Sequence, residues 1–208
     1  MNEQFWWYLA RSTGIVAWFL AIASVLWGLA LSTRALGPKP RAPWLLDLHR
    51  WLGALTVMFV GVHMLALVAD SYLHFSWAEL LVPMASTAYK PGAVTWGIVA
   101  FWFLLLVEGT SLLMKRIPKS VWHSIHLTSY VVAATATVHL LTAGTDSSTP
   151  ALRWAALFGA IMIVFFTIYR LLAPKATARK LPSREEVAAR RTHAADAGGS
   201  ATGGGSAA

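Results

Sequence analysis

The sequence predicts an all-α integral membrane protein, a five-helix transmembrane bundle, and three observations carry that expectation. Hydrophobic residues make up 57% of the 208 and charged residues only 12%, and the mean hydropathy is +0.56. A soluble domain of this size needs a charged surface that the chain lacks. A bilayer accepts apolar surface but requires every backbone polar group to be satisfied inside a helix or a closed barrel. The apolar stretches are continuous, without the alternation of barrel strands, and this selects helices.

Five stretches reach the roughly 20 residues that cross a hydrocarbon layer about 30 Å thick: 13–33, 44–69, 93–114, 120–142 and 152–172. The first follows a segment holding one cation, Arg11, and is longer than a cleavable signal's apolar core, so it is expected to stay. The second carries His49 and His63. The third is apolar except near its end, where Glu108 lies two turns before Lys115. It is expected to snorkel or pair with a cation, with a proton relay as the alternative. The fourth carries His123, His126 and His139 around the small-residue run Ala133–Thr137, and the fifth is apolar throughout. Residues 173–208 turn basic and then rich in Gly, Ala and Ser, the composition of a disordered tail. The organisation expected is therefore a membrane domain over 1–172 and a tail over 173–208.

Lysine and arginine are retained on the cytoplasmic side of a membrane. Fourteen of the 17 fall on one side: Arg34, Lys39, Arg41, Arg50, Lys115, Arg116, Lys119, Arg170 and six in the tail. Arg11, Lys90 and Arg153 fall on the other. The N-terminus is expected outside and the C-terminus in the cytoplasm. The net charge of +8 thus follows topology, and a nucleic-acid partner is not expected; lipid headgroups are.

No cysteine is present, which excludes disulfides, thiolate metal sites and cysteine-held iron–sulfur clusters. No glycine-rich phosphate loop or dinucleotide fingerprint occurs, so no flavin or nicotinamide site is expected in this chain. The histidines remain, and ionisable groups inside spans are costly and usually functional. His49 and His63 are 14 positions apart and His126 and His139 are 13 apart, about 21 and 19.5 Å along a helix. Both spans run outward on the charge argument, so His49 shares a depth with His126 and His63 with His139. Two facing imidazoles at each of two depths match the axial ligation of two stacked b-type haems, each iron filled on both sides and suited to electron transfer. Gly53, Gly61 and the 133–137 run would let porphyrins approach the backbone. At about 100° per residue His49 and His63 share a face, but His126 and His139 lie ~140° apart. Either span four is irregular, as at a π-bulge, or its two haems sit on different sides.

These residues resemble the ferric-reductase-like transmembrane domain family, whose superfamily includes the NADPH oxidases and the haem-binding membrane subunit of bacterial methionine-sulfoxide reductase. The resemblance rests on the two spaced histidine pairs, "WHSIHLTSY" at 122–130, "LARSTGIVAW" at 9–18 and "DSYLHFSWAELLVPMAS" at 70–86. It is closest in character to short bacterial members without a fused flavin domain, although such families commonly have six spans. The resemblance implies an inner haem held by His49 and His126 and an outer haem held by His63 and His139, in the bacterial cytoplasmic membrane. The protein would be the electron-transferring membrane subunit of an oxidoreductase. A separate cytoplasmic donor would feed it, and an extracytoplasmic acceptor, whether ferric iron, a flavoprotein or a reductase partner, would drain it.

Arg11 and Arg50 are candidates for the outer and inner propionates, with topology an equal explanation for Arg50. His123 has three readings: a propionate contact, a substitute ligand, or an interfacial histidine beside Trp122. His74, without a partner by spacing, reads as interfacial. The loop 71–92 reads as a membrane-lying lid over the outer haem or as a connector. Other functions fit the same histidines: a quinol-linked haem anchor for a reductase subunit, a cofactor-free structural membrane protein, or a transition-metal pathway.

Overall fold

A computed structural model describes residues 3–33, 43–71, 75–87 and 89–172. The expected tail, His74 and the basic loop bearing Arg34, Lys39 and Arg41 lie outside the described residues. Seven helices occur, with no strand among the described residues: α1 (Glu3–Thr33), α2 (Pro43–Ala69), α3 (Trp77–Leu81), α4 (Pro91–Leu112), α5 (Lys119–His126), α6 (Ser129–Ala143) and α7 (Pro150–Leu172). Five spans are long and apolar enough to cross a membrane: α1, α2, α4, α5 with α6, and α7. The shortest, the 22 residues of α4, covers about 33 Å, enough for the hydrocarbon layer.

Local sequence sets the helix starts. Pro43, Pro91 and Pro150 each open a spanning helix, at the position where a missing N–H costs nothing and a fixed φ suits the first turn. Span one begins ten residues before the expected Thr13, because Glu3–Ser12 continues the same helix.

The fourth span resolves the angular mismatch of its histidines. The chain does not underwind into a π-bulge there; it tightens. Thr128 N–H donates to Ile125 C=O at 2.9 Å, Tyr130 N–H to Leu127 C=O at 3.2 Å and Val131 N–H to Thr128 C=O at 2.8 Å. Each residue in such a tight turn advances about 120° instead of 100°, so the break between α5 and α6 turns the helix in the direction that brings His139 toward the face of His126.

α1 lies at the centre, packed along α2 on one side and against α6 and α7 on the other, while α4 packs on α6. Trp18, Ile22, Ala133, Leu140, Leu152 and Ala156 form the main buried cluster. Hydrogen bonds between spans fix the register: Trp18 Nε1–H to Thr137 Oγ1 at 3.0 Å, Trp27 Nε1–H to Leu45 C=O at 2.8 Å, and Tyr130 Oη with Thr167 Oγ1 at 3.1 Å. Thr13, Thr56 and Thr135 return their hydroxyls to the carbonyl four residues back, at 2.6–2.7 Å, which lets a polar side chain sit in an apolar bundle. Outward-facing Trp51, Phe158 and Leu112 stay well exposed, the surface that lipid covers.

Candidate functional site

The four paired histidines line two cavities along the bundle, His49 of α2 with His126 of α5 at one and His63 of α2 with His139 of α6 at the other. At the first level the ring centroids of His49 and His126 are 5.9 Å apart with planes at 76°, and at the second those of His63 and His139 are 6.5 Å apart at 78°. The first cavity measures about 290 Å³ and the second about 240 Å³. Ala21, Thr56, Leu104 and Val132, one from each of four spans, line both and are buried. These four side chains form the floor between the levels.

Each ring is aimed by its Nδ1. His63 Nδ1 lies 2.7 Å from Ala10 C=O and His139 Nδ1 lies 2.8 Å from Ala93 C=O. A carbonyl only accepts, so both Nδ1 atoms carry a proton, the tautomer in which Nε2 is left to act as a ligand. His49 and His126 make longer contacts, 3.4 Å each, to the hydroxyls of Ser24 and Ser111.

The sequence reading missed the glycines that make room for these rings. A Cβ on Gly14 would meet His63 at 3.0 Å, on Gly28 would meet His49 at 3.1 Å, and on Gly97 would meet His139 at 2.7 Å. Fourteen positions separate Gly14 from Gly28, and fourteen separate His49 from His63. Two antiparallel helices with equal spacings meet in register at both ends, so this pattern was present in the sequence. The glycines it favoured behave differently: Gly53 faces the Glu108 carboxylate, and Gly61 has nothing within 4 Å of a built Cβ. Glu108 does not snorkel away. It lines the first cavity and makes no ion pair among the described residues.

Of the two candidate arginines, Arg11 lines the cavity expected for it and Arg50 does not. Arg11 lines the second cavity, but its guanidinium is held in a two-pronged ion pair by Asp146, Nε lying 2.9 Å from Oδ2 and Nη2 bonding Oδ1, and it lies over the Trp7 ring at 4.1 Å. Arg50 does not line the first cavity; it turns to Asp47 at 3.1 Å, with 60% of its side chain exposed. His123 does line that cavity. Trp122 stacks on His126, centroids 5.1 Å apart at 25°, and its Nε1 is buried with no hydrogen-bond partner. Arg170 also lines this cavity, a role the sequence reading gave to topology alone.

At the second level, Phe75, Leu80 and Tyr89 of the α2–α4 connection line the cavity. Glu79 ties that connection together, accepting from Ser76 N–H at 3.0 Å and Oγ–H at 2.9 Å, and from Thr87 N–H at 2.7 Å and Oγ1–H at 2.9 Å. Those donors, the Ser76 amide first and then Thr87, hold its carboxyl at about 2, well below the ordinary value. Tyr89 Oη–H reaches Ala143 C=O at 2.9 Å. Among the described residues no group of three or more His, Cys, Asp or Glu side chains is placed to hold a metal ion between them.

The family model described as ferric reductase like transmembrane component matches residues 13–137, which contain α2, α4, His49, His63 and His126 and end two residues before His139. The chain belongs to the ferric-reductase-like transmembrane family. Transmembrane domains of this family generally bind haem, and membership implies electron transfer in a membrane. The chain is also similar to magnetosome protein MamZ of Magnetospirillum gryphiswaldense, 28% identical over 125 residues. That match covers 59% of this chain and 18% of the relative, so it spans less than a fifth of that protein's length. No solved structure matches.

Proposed function

We propose that the protein passes single electrons across the bacterial cytoplasmic membrane through two b-type haems, one held by His49 and His126 and the other by His63 and His139. The observation that carries this reading is the ring spacing. Two imidazoles sharing one metal at bonds of about 2.0–2.1 Å, with about 1.1 Å from nitrogen to ring centre, stand ~6.3 Å apart. The paired centroids are at 5.9 and 6.5 Å, so the residues fit a metal between them at both levels.

Held by these pairs, haem would supply a one-electron couple. The chain's part is to orient and insulate. Ala10 and Ala93 fix the tautomer that offers Nε2, and such outer hydrogen bonds raise ligand basicity. Gly14, Gly28 and Gly97 let the rings seat against the helices. The apolar floor of Ala21, Leu104 and Val132 with Thr56 keeps water from the path between levels.

The distribution of Lys and Arg supports an N-terminus outside and a C-terminus in the cytoplasm, which makes the His49–His126 level the inner one. Electrons would enter from a separate cytoplasmic donor and leave to an extracytoplasmic acceptor: ferric iron, a flavoprotein or a reductase partner. The test is an absorbance spectrum of detergent-purified protein, oxidised and dithionite-reduced, with haem counted per chain, beside His63→Ala and His126→Ala. Two low-spin b haems, with loss at the matching level in each variant, is the expected result. Haem-free protein from cells with ample haem, or wild-type spectra from both variants, overturns the assignment.

A further inference from the structure

We propose that Arg170, helped by the Trp122 indole N–H, is the carboxylate-binding end of the first cavity. It takes the propionate side chains of a porphyrin seated between His49 and His126, the role for which Arg50 is the obvious candidate by sequence. This inference rests on the haem reading above. Four observations carry it. Arg50 is committed to Asp47, lies mostly in solvent, and does not line the cavity. Arg170, in the last turn of α7, is the guanidinium that lines it among the described residues, and no hydrogen bond or ion pair engages it there. Lys115, Arg116 and Lys119, at the same end of the bundle, do not line it. Trp122 lines the same cavity against His126, with a buried N–H that no acceptor meets.

The chemistry follows from these groups. Guanidinium presents a planar fork that matches a carboxylate with two parallel hydrogen bonds. A buried donor left unmet is costly, so an acceptor arriving with a ligand is favoured at Trp122 over an apolar group. The second cavity differs, because Asp146 already fills the fork of Arg11. The first level is therefore the one with a cation open to an incoming carboxylate. A positive charge beside the porphyrin's carboxylates favours the reduced iron, which carries one positive charge fewer, so Arg170 raises the potential of the inner haem. Arg170 is thus a positioning and tuning residue with no part in ligating iron.

The test is a spectroelectrochemical titration of the full chain in detergent, comparing Arg170→Gln, Arg170→Lys, Trp122→Phe and Arg50→Gln, with haem release to apomyoglobin timed for each. The inner wave is the one missing from His49→Ala. With Arg170→Gln the haem count and low-spin spectrum persist, the inner wave moves to lower potential, and inner haem leaves about tenfold faster, the scale of one charge-assisted hydrogen bond. Arg170→Lys falls between Gln and wild type, Trp122→Phe moves the same way by less, and Arg50→Gln changes neither readout. Should Arg170→Gln fail to fold, Arg170→Lys and Trp122→Phe make the same comparison. Wild-type potential and release in the Arg170 variants, with both haems present, overturns this proposal and leaves the haem reading standing. The same result alongside a shift in Arg50→Gln returns the site to Arg50. A haem-free wild type removes both readings.

Discussion

Replacing Gly97 with alanine should disable the second level while leaving the first intact, and the size of the effect can be worked from the contacts. A Cβ at Gly97 would lie 2.7 Å from His139 Cε1 and 2.8 Å from Nδ1. Ordinary contact is about 3.5 Å, so the ring must retreat roughly 0.8 Å. Its anchor, Ala93 C=O, lies one turn earlier on the same helix at 2.8 Å from Nδ1, so the retreat stretches that bond beyond useful length. Overpacking costs about 1–3 kcal/mol and the hydrogen bond about 1 kcal/mol, while alanine returns about 0.5–1 kcal/mol of helix preference. The net loss expected is about 1–3 kcal/mol. The ring displacement also exceeds the ~0.5 Å within which a functional constellation must be held. Haem per chain, the reduced spectrum and thermal unfolding in detergent provide the assay. Gly97→Ala should lose one haem or turn it high-spin. Gly14→Ala, at 3.0 Å, and Gly28→Ala, at 3.1 Å, should follow with smaller effects at their own levels. Gly61→Ala, with nothing within 4 Å, should be neutral or stabilising. Two intact low-spin haems in Gly97→Ala, or equal damage in Gly61→Ala, would refute the reasoning.

Three further outcomes follow from the second level. The folded carboxyl of Glu79 is depressed to about 2, so its stabilisation of the α2–α4 connection is complete above the ordinary carboxylate range and is lost as pH falls through that range toward 2. Protection of the Ser76 and Thr87 amides, taken relative to their intrinsic exchange at each pH, should fall across that window, and Glu79→Gln should flatten the dependence. Arg11 and Asp146, with side chains 29% and 27% exposed, should show a coupling of about 1 kcal/mol or less in a double-mutant cycle in detergent, weakening with salt; a salt-independent coupling would contradict a solvent-reached pair. Tyr89→Phe removes the bond to Ala143 C=O and should cost about 1 kcal/mol without changing the haem count, whereas loss of haem would make Tyr89 part of the site.

Much of the architecture was legible because hydropathy acts residue by residue. A run of about 20 apolar residues must become a helix wherever it sits in a bilayer, and proline marks where several of these helices begin. The five spans, the charge asymmetry and the depth of each histidine follow from counting along the chain. What counting could not supply is rotation and reach. Thirteen positions put His126 and His139 on different faces of an ideal helix, and only the tightened turn at Leu127–Tyr130 advances one toward the other. The side-chain partners were equally hidden. That Arg11 is met by Asp146, 135 residues away, that Arg50 turns to its neighbour Asp47 and that Arg170 lines the first cavity depend on which helices meet, and a positive charge in sequence names no partner. The sequence alone determined which residues are able to span and at what depth the imidazoles lie, since both depend on the rise of a single helix. The tertiary structure alone decided which rings come together, which glycines receive them and which arginine lines each cavity, since those depend on the packing of several helices at once.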